Sequence, residues 1–319
     1  MAPSRGSARS AQPPSMTRES SAARPDATAV REQAYPHPLP TPLVETDWLA
    51  ARLGSPTLRL FDCSIVREDR PDGSYALVSG QSHWQRAHIP GSGFLDVQED
   101  FGSARGGLPA LERWAQRFMA HGIGDGLRVV LYDRGNHACA ARVWWLLRLC
   151  GFDAACVLNG GWRKWTSEGH PVDAEVPVFA PATFALQPRP RLLADKQQVL
   201  AALGDASTVL IHALSPPVFS GKLQIFPRPG RIPGSHNVFC DWLIDAETGA
   251  YVPQTRLREL FAPTGALTAR QVITYCGGGI AASSNALALF TLGCENVALY
   301  DGSLAEWTAD PDLPLESDS

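Results

Sequence analysis

The chain has 319 residues, of which 45% are hydrophobic and 19% are charged, and its formal net charge is −4 at pH 7. This near-neutral balance gives no support for a nucleic-acid or membrane-surface partner. No apolar run approaches the roughly 20 residues that a membrane-spanning helix needs, so a membrane protein is not expected. The length predicts two ordinary domains rather than one.

The cysteines are spread through apolar segments and include no Cys-x-x-Cys pair. They are Cys63, Cys139, Cys150, Cys156, Cys240, Cys276 and Cys294. An odd number without a pairing motif indicates a reduced, cytoplasmic protein in which most cysteines are small core residues. The histidines are isolated and no dinucleotide-binding glycine motif is present, so neither a metal nor a cofactor is expected.

Residues 1–40 are rich in Ser, Ala, Pro and Arg with almost no apolar periodicity, so they are predicted to be a disordered tail. Their arginines are typical of a transit peptide, but Glu19, Asp26 and Glu32 weaken that interpretation. A secretory signal is not expected because an apolar segment is missing. Two alternatives stay open, a targeting segment and a misplaced start with Met16 as the true first residue.

From about Leu43 onward, short helices alternate with buried strands. The first half is predicted to contain a helix at 46–53 capped by Thr46 or Asp47, a strand at 58–63, a helix at 111–121, a strand at 128–133, a helix at 139–150 and a strand at 155–158. The second half is predicted to contain a helix at 195–203, a strand at 208–211, a helix at 255–261, a strand at 271–275, a helix at 281–292 and a strand at 297–300. The two halves therefore follow one order.

Short motifs also repeat at an almost constant spacing. The Ile-Pro-Gly-Ser motif at 89–92 returns at 232–235, a spacing of 143 residues, and Trp165 returns as Trp307, a spacing of 142. The chain is therefore predicted to be a tandem duplication of an α/β unit, each copy a parallel sheet flanked by helices. The predicted boundaries are 41–172 for the first domain, 173–190 for a Pro-rich linker and 191–316 for the second domain.

The second copy carries a reactive-site pattern. A β-type run ends at Cys276, and Gly277, Gly278 and Gly279 lead into an Ala-rich helical segment. Glycines let a loop point several N–H groups at one place, and the helix N-terminus adds partial positive charge, so a thiolate and a bound anion are both favoured. Cys276 is therefore predicted to be a nucleophile. Asp133 occupies the equivalent place in the first copy, so only the second domain is expected to be catalytic.

The repeated Ile-Pro-Gly motif, the Cys-led loop and the closing Asp-Gly-x-x-x-x-Trp segment resemble the rhodanese family over residues 43–315. The similarity is to its two-domain thiosulfate and 3-mercaptopyruvate sulfurtransferases. It implies two tandem rhodanese-like domains and a six-residue loop, from Cys276 through Gly277, Gly278, Gly279 and Ile280 to Ala281, that cradles a persulfide. It also implies sulfane sulfur transfer from a small anionic donor, thiosulfate or 3-mercaptopyruvate, to cyanide, a thiol or a protein acceptor. A monomer is expected.

The loop differs from the loops of two related classes of enzyme. Cys-based phosphatases of this topology need one more loop residue and an Arg, but Ala282 stands there and no Arg follows before Leu292, so phosphate-ester hydrolysis is disfavoured. The mercaptopyruvate enzymes carry a loop Ser and Thr where this chain has Gly278 and Ala281. They also carry two carboxylate-binding arginines, which are absent from the matching stretches 212–214 and 219–221.

Five residues are candidates for the substrate pocket or for its missing charge. Lys222 and Arg231, together with Arg228, lie near enough in sequence to replace the missing charge. His212 either faces the pocket or makes a structural hydrogen bond. His88 matches the family's domain-interface histidine, for which a role in the cleft and a structural hydrogen bond are the alternatives.

Two further residues are expected to be structural, namely Arg142 in domain packing and Asp301 in the loop after the last strand. Two alternatives to a small-molecule enzyme stay open. One is a sulfur-carrier or protein-binding module with little turnover. The other is redox sensing by Cys276, which is disfavoured because no resolving cysteine lies close in sequence.

Overall fold

The computed structural model describes residues 1–2, 41–101 and 111–318. The predicted disordered tail at 1–40 therefore lies outside the described residues except at its first two positions. The described residues from Thr41 onward belong to one compact unit. They form two five-stranded parallel sheets with flanking helices, and one two-stranded hairpin, so the prediction of an α/β fold with a parallel sheet in each half is confirmed.

The first half contains one parallel sheet and the hairpin. Its strands are β1 (Leu43–Val44), β2 (Leu58–Asp62), β3 (Ile65–Asp69), β4 (Tyr75–Ser79), β5 (Ser92–Phe94), β6 (Arg128–Tyr132) and β7 (Ala155–Leu158). The sheet has the order β1-β7-β6-β2-β5, and β3 pairs antiparallel with β4. Nothing in the sequence pattern predicts the hairpin, because its strands are largely exposed and lack a buried apolar run.

The helices of the first half bury their apolar faces against this sheet or against the second half. They are α1 (Thr46–Ala50), α2 (Gln81–Arg86), α3 (Leu111–Ala120), α4 (Ala138–Leu149) and α5 (Gly161–Ser167). In α3, Trp114, Ala115 and Phe118 lie on one face and are buried, as helical spacing requires. The predicted cap of α1 is wrong, since Glu45 is its N-cap residue and makes no side-chain capping bond.

The second half repeats the first. Its strands are β8 (Leu193–Ala194), β9 (Thr208–His212), β10 (His236–Asn237), β11 (Gln271–Tyr275) and β12 (Val297–Tyr300). Its helices are α6 (Lys196–Ala202), α7 (Pro216–Phe219), α8 (Gln254–Phe261), α9 (Ile280–Thr291) and α10 (Ser303–Trp307), with 3-10 turns at Pro190–Leu192, Cys240–Leu243 and Ala262–Thr264. The sheet order β10-β9-β11-β12-β8 matches that of the first sheet strand for strand.

The Ile-Pro-Gly-Ser motif has the same structural role in both halves. In the first, the hydroxyl oxygen of Tyr132 accepts the backbone N–H of Ile89 at 3.3 Å. In the second, the hydroxyl oxygen of Tyr275 accepts the backbone N–H of Ile232 at 3.1 Å. Each tyrosine is the last residue of its central strand, so the motif ties the turn to that strand end.

The two halves share one hydrophobic core, to which both contribute buried residues. Helices α4 and α9 pack against each other across the interface, and the rings of Trp144 and Phe290 lie 5.5 Å apart. This packing brings the N-terminal ends of the two helices, and therefore the two loops that precede them, toward one interface. No helix in the described part of the chain combines the length and apolar character needed to cross a bilayer.

Candidate functional site

Cys276 follows strand β11 at the carboxyl end of the second sheet and begins the loop into helix α9. The residue is only 2% exposed. Its Sγ atom accepts a hydrogen bond from the backbone N–H of Gly279 at 3.1 Å. Gly279 has a φ of +83°, which favours glycine, so this residue lets the loop curl around the sulfur.

The closing Asp-Gly-x-x-x-x-Trp segment supports the loop from below. The backbone N–H of Cys276 donates to Ser303 Oγ at 3.1 Å, and its carbonyl accepts the N–H of Leu304 at 3.1 Å. The first half repeats the second contact, since the N–H of Trp162 donates to the carbonyl of Asp133 at 3.0 Å. The loop and the closing segment therefore form one unit, which is why they recur together.

One side of the loop is open. A Cβ atom placed on Gly278 would meet no heavy atom within 4 Å. A Cβ on Gly277 would lie 2.8 Å from the ring of Phe226 and 3.9 Å from Leu214. Ile280 and Ala281 begin helix α9 and are partly buried against the shared core. The loop thus presents backbone to open space at Gly278, beside an apolar wall.

The equivalent loop of the first half already surrounds an anion. The Asp133 side chain is buried, and its Oδ1 accepts N–H groups of Gly135 at 2.9 Å and His137 at 3.1 Å. Its Oδ2 accepts N–H groups of Cys139 at 3.1 Å and Ala140 at 3.0 Å. The helix that follows has an N-cap residue in the left-handed region, as α9 does. A loop of this construction therefore converges several N–H groups on one negative charge.

His212 does not lie beside Cys276, which corrects the pocket hypothesis. It is paired in register with Tyr275, and the two rings lie 5.1 Å apart on the face of the sheet opposite to the Cys276 side chain. His212 is fully buried, and burial lowers its pKa to about 3. Its Nδ1 lies 3.5 Å from Asn237 Nδ2, and its Nε2 has no hydrogen-bond partner among the described residues.

The predicted arginines are engaged elsewhere, because the C-terminal segment binds both of them. Arg231 pairs with Asp318 at 2.8 Å and with Glu316 at 3.3 Å, which corrects its assignment to the pocket. Arg228 donates to the carbonyl oxygens of five residues near the C-terminus, Trp307, Thr308, Asp310, Pro311 and Leu313.

Lys222 is exposed, and no hydrogen bond or ion pair of its ammonium group is found among the described residues. It lies on the segment that leads to Phe226, which contacts the loop at Gly277. Of the cations predicted for the pocket, Lys222 is therefore the one whose charge is not already paired within the described part of the chain.

His88 makes structural contacts, which is the second of its two alternatives, and it is not part of the cleft around Cys276. It is fully buried and stacks on Trp84 with the ring centres 4.9 Å apart. Its Nδ1 lies 2.7 Å from the carbonyl oxygen of Trp84, and its Nε2 lies 3.1 Å from the carbonyl oxygen of Glu175. Both ring nitrogens are thus occupied within the first half and the linker.

Cys240, for which the sequence predicts only a core position, also lies near the Cys276 loop. Its backbone N–H donates to the carbonyl oxygen of Ala213 at 3.0 Å, and the N–H of Ala213 donates to the carbonyl oxygen of Tyr275 at 2.9 Å. Cys240 therefore lies one strand beyond the Cys276 loop. Burial raises the pKa of the Cys240 thiol, and the charges of Asp241 and Cys276 raise it further. The signal in the sequence is weak because the strand before Cys240, β10, has only two residues.

Side chains of the first half reach the rim near Cys240. Asn136, from the loop that Asp133 begins, donates to Asp241 Oδ1 at 2.6 Å and lies 3.7 Å from Cys240 Sγ. The Nε2 atom of His137 lies 2.6 Å from the carbonyl oxygen of Gly249. Residues of the Asp133 loop therefore contact residues near the Cys276 loop across the interface. No group of three or more His, Cys, Asp or Glu residues is arranged to hold a metal in the ranges that the structure describes.

Known proteins resemble this chain over most of its length. The rhodanese-like domain family matches it twice, over residues 45–168 and 195–310. A Pseudomonas aeruginosa protein named as a probable 3-mercaptopyruvate sulfurtransferase is 34% identical over 86% of this chain and 97% of its own. Thiosulfate/3-mercaptopyruvate sulfurtransferase 2 of Arabidopsis thaliana is 32% identical over 87% of each chain. The structure of the 3-mercaptopyruvate sulfurtransferase SseA from Escherichia coli aligns with a TM-score of 0.71 at 27% identity, over 82% of this chain and 98% of that one.

Proposed function

Because the chain belongs to the rhodanese family and is an enzyme of the sulfurtransferase type, we propose that it transfers sulfane sulfur through a persulfide on Cys276. The observation that carries the proposal is the hydrogen bond from the Gly279 N–H to Cys276 Sγ at 3.1 Å, inside a loop that opens to solvent space at Gly278. A thiolate held by an N–H donor at a helix N-terminus is a stabilised nucleophile. Asp133, the residue of the first domain equivalent to Cys276, carries a carboxylate and no thiol, so we assign the sulfur transfer to the second domain alone.

The reaction has two steps. The Cys276 thiolate attacks the outer sulfur of thiosulfate, the S–S bond of the donor breaks, and sulfite leaves with the bonding electrons. With 3-mercaptopyruvate the thiolate attacks the donor's thiol sulfur, the C–S bond breaks instead, and the carbon takes up the proton that this thiol loses, which gives pyruvate. Cyanide or a thiolate then attacks the outer sulfur of the persulfide, which gives thiocyanate or a new persulfide and returns the Cys276 thiolate. Each transfer leaves the total charge unchanged.

The loop backbone supports this chemistry. The negative charge of the persulfide sits on its outer sulfur, beyond Sγ, and backbone N–H groups stabilise such a charge without needing to reorganise. The four N–H groups around the Asp133 carboxylate, at 2.9 to 3.1 Å, are the observed example of that arrangement in this chain. Because glycines occupy positions 277 to 279, no side chain of theirs competes for the space at the sulfur.

Thiosulfate and 3-mercaptopyruvate are the donors that the names of the relatives suggest. Lys222 is the residue that we assign to the charge of the donor, together with the loop N–H groups. We do not assign donor binding to Arg228 or Arg231, because both are bound by residues of the C-terminal segment. A single lysine is a point charge without the two-pronged geometry of an arginine, so we expect weaker donor binding than an arginine pair would provide.

The test is to incubate the protein with each donor and measure the intact mass. A gain of about 32 Da, removed by cyanide with formation of thiocyanate, is expected for one added sulfur. Cys276→Ser should abolish both signals, whereas Cys294→Ser, a partly exposed cysteine of the second half, should retain them. Neither donor giving the adduct, or full turnover by Cys276→Ser, would overturn the proposal.

A second candidate is sulfur delivery to a protein acceptor. The segment that leads to Phe226 exposes Leu223 at 49% and Ile225 at 57%, and exposed apolar side chains beside a reactive group favour a protein contact. Changing both residues to Ser should leave cyanide turnover unchanged and slow transfer to a thiol-bearing protein such as reduced thioredoxin. Equal loss with cyanide and with the protein would contradict this candidate.

A further inference from the structure

A buried ion pair joins the two halves. Arg142, on helix α4 of the first half, forms a close ion pair with Asp301, which follows strand β12 of the second half. The side chains are 2% and 4% exposed. Burying two charges costs more free energy than packing apolar side chains of the same size, so the pair requires a reason beyond stability.

The pair lies directly beneath the Cys276 loop. A Cβ atom placed on Gly279 would collide with Asp301 Oδ1 and would lie 2.9 Å from Arg142 Nη1. Gly279 is the residue whose N–H donates to Cys276 Sγ at 3.1 Å. The first half therefore places a guanidinium under the one loop residue that is hydrogen-bonded to the nucleophile.

We propose that Arg142 is a positioning residue of the sulfur-transfer site, which neutralises Asp301 beneath Gly279 and so keeps the loop N–H groups directed at the sulfur on Cys276. The catalytic part of this inference rests on the proposed persulfide chemistry. The electrostatic part concerns the thiol alone and can be tested without any sulfur donor.

Removing either partner of this pair would leave one buried charge unpaired. Without Arg142, the Asp301 carboxylate would be a buried anion beside a loop built to hold another anion, and it would compete for the loop N–H groups. Without the Asp301 charge, Arg142 would leave a buried cation at the same place. The two single losses therefore act on the Cys276 thiolate with opposite sign. Among the described residues, the thiol of Cys240 also interacts electrostatically with Cys276, and neither change touches it.

The duplication supports a specific role for Arg142. Its counterpart in the second half is Ser284, which is the fifth residue of helix α9 as Arg142 is the fifth residue of helix α4, at a spacing of 142 residues. Helix α9 thus carries a neutral hydroxyl at this position, whereas helix α4 carries a cation toward the loop of Cys276. The half without a nucleophile thereby contributes to the site.

The test measures how fast iodoacetamide alkylates Cys276 at a series of pH values, with the peptide of Cys276 resolved by mass spectrometry. The midpoint of this profile should rise by at least about one pH unit in Arg142→Met and fall by at least about one unit in Asp301→Asn, because a unit charge within about 12 Å at an effective dielectric constant near 20 shifts a pKa by that amount or more. The double variant should return close to the wild type. Arg142→Lys keeps the charge and should stay near the wild-type midpoint.

Arg148 provides the matched control. It lies on the same helix, and its guanidinium packs over the ring of Phe290 in the second half with 4.0 Å between the guanidinium carbon and the ring centre. Arg148→Met should lower stability without moving the alkylation midpoint. If Arg142→Met does not fold, the other two variants still test the proposal. Asp301→Asn must lower the alkylation midpoint, and Arg142→Lys must leave it unchanged.

The two proposals fail separately. Shifts of the same sign in Arg142→Met and Asp301→Asn, or no shift in either, would overturn the role of Arg142 even if the persulfide forms. Opposite shifts without any persulfide adduct would overturn the proposed function and leave the electrostatic role intact. Where both hold, persulfide formation in a single turnover should slow about tenfold in Arg142→Met and recover in the double variant.

Discussion

Asp133 and Cys276 stand at the same point of two copies of one strand-loop-helix unit, and only the carboxylate of Asp133 is already enclosed by N–H groups. Four such groups donate to it at 2.9 to 3.1 Å, whereas Cys276 Sγ accepts one, from Gly279 at 3.1 Å. The first loop is thus closed on its own side chain. The second has room at Gly278, where an added Cβ would meet nothing within 4 Å. This difference suits one copy for structure and the other for binding a sulfur donor.

Gly279 and Gly278 offer a matched pair of substitutions. Gly279→Ala would place a Cβ against Asp301 at a φ of +83°, so it should displace the N–H from Cys276 and reduce sulfur transfer by at least about a hundredfold. Gly278→Ala adds a methyl group in open space and should reduce sulfur transfer by less than about tenfold. Thiocyanate formation under single-turnover conditions measures both. Equal losses would show that the backbone geometry at Gly279 is not what matters.

Asp133 should be a stability residue. Asp133→Ala leaves four N–H groups without their acceptor in a buried loop, and we expect it to lower the free energy of unfolding by about 3 kcal/mol. Asp312→Ala, at an exposed position, should change it by less than about 0.5 kcal/mol. Urea denaturation followed by tryptophan fluorescence makes the comparison. A stable Asp133→Ala variant would mean that water or a shifted loop satisfies these donors.

His212 predicts a pH dependence of stability. Burial lowers its pKa to about 3 from an ordinary value near 6.5, so the unfolded chain binds a proton that the folded chain does not. The stability that neutral His212 supplies is therefore complete above about pH 6.5 and is lost as the pH falls toward 3. Each pH unit of acidification between about 6.5 and 3 should lower the free energy of unfolding by about 1.4 kcal/mol through this group. His212→Phe, which suits the rings of Phe219 and Tyr275, should flatten the profile of unfolding free energy against pH.

The control for this profile is His236→Asn, because His236 is exposed. That variant should retain the acid sensitivity of the parent protein. A profile unchanged by His212→Phe but flattened by His236→Asn would contradict the assignment of the effect to the buried ring.

Cys240 should be inert although it lies near Cys276. Burial raises the pKa of its thiol, so at pH 8 it stays protonated and is a poor nucleophile. Iodoacetamide should therefore modify Cys276 well before Cys240, and Cys240→Ser should retain sulfur transfer within about threefold. A disulfide between Cys240 and Cys276 after mild oxidation, identified in a peptide map, would instead support redox sensing by this pair.

The sequence by itself determined the duplication, the order of the central strands and of the main helices, and the position of the cysteine that we propose as the nucleophile. These features depend on local patterns: apolar runs set the strands, the spacing of Ile89 and Ile232 reveals the repeat, and a cysteine followed by three glycines marks the loop. The tertiary structure bears out the parallel sheet in each half and puts Cys276 at a strand end.

Only the tertiary structure decided which polar residues surround that loop. His88, His212 and Arg231 have the right chemistry for a pocket, but each has partners or a sheet face that direct it elsewhere. Arg142 lies far from Cys276 in the sequence, yet the packing of α4 on α9 puts it under Gly279. A local pattern shows the side chain that a position carries. Which neighbour that side chain meets depends on how two sheets and two helices pack, and this depends on the whole chain at once.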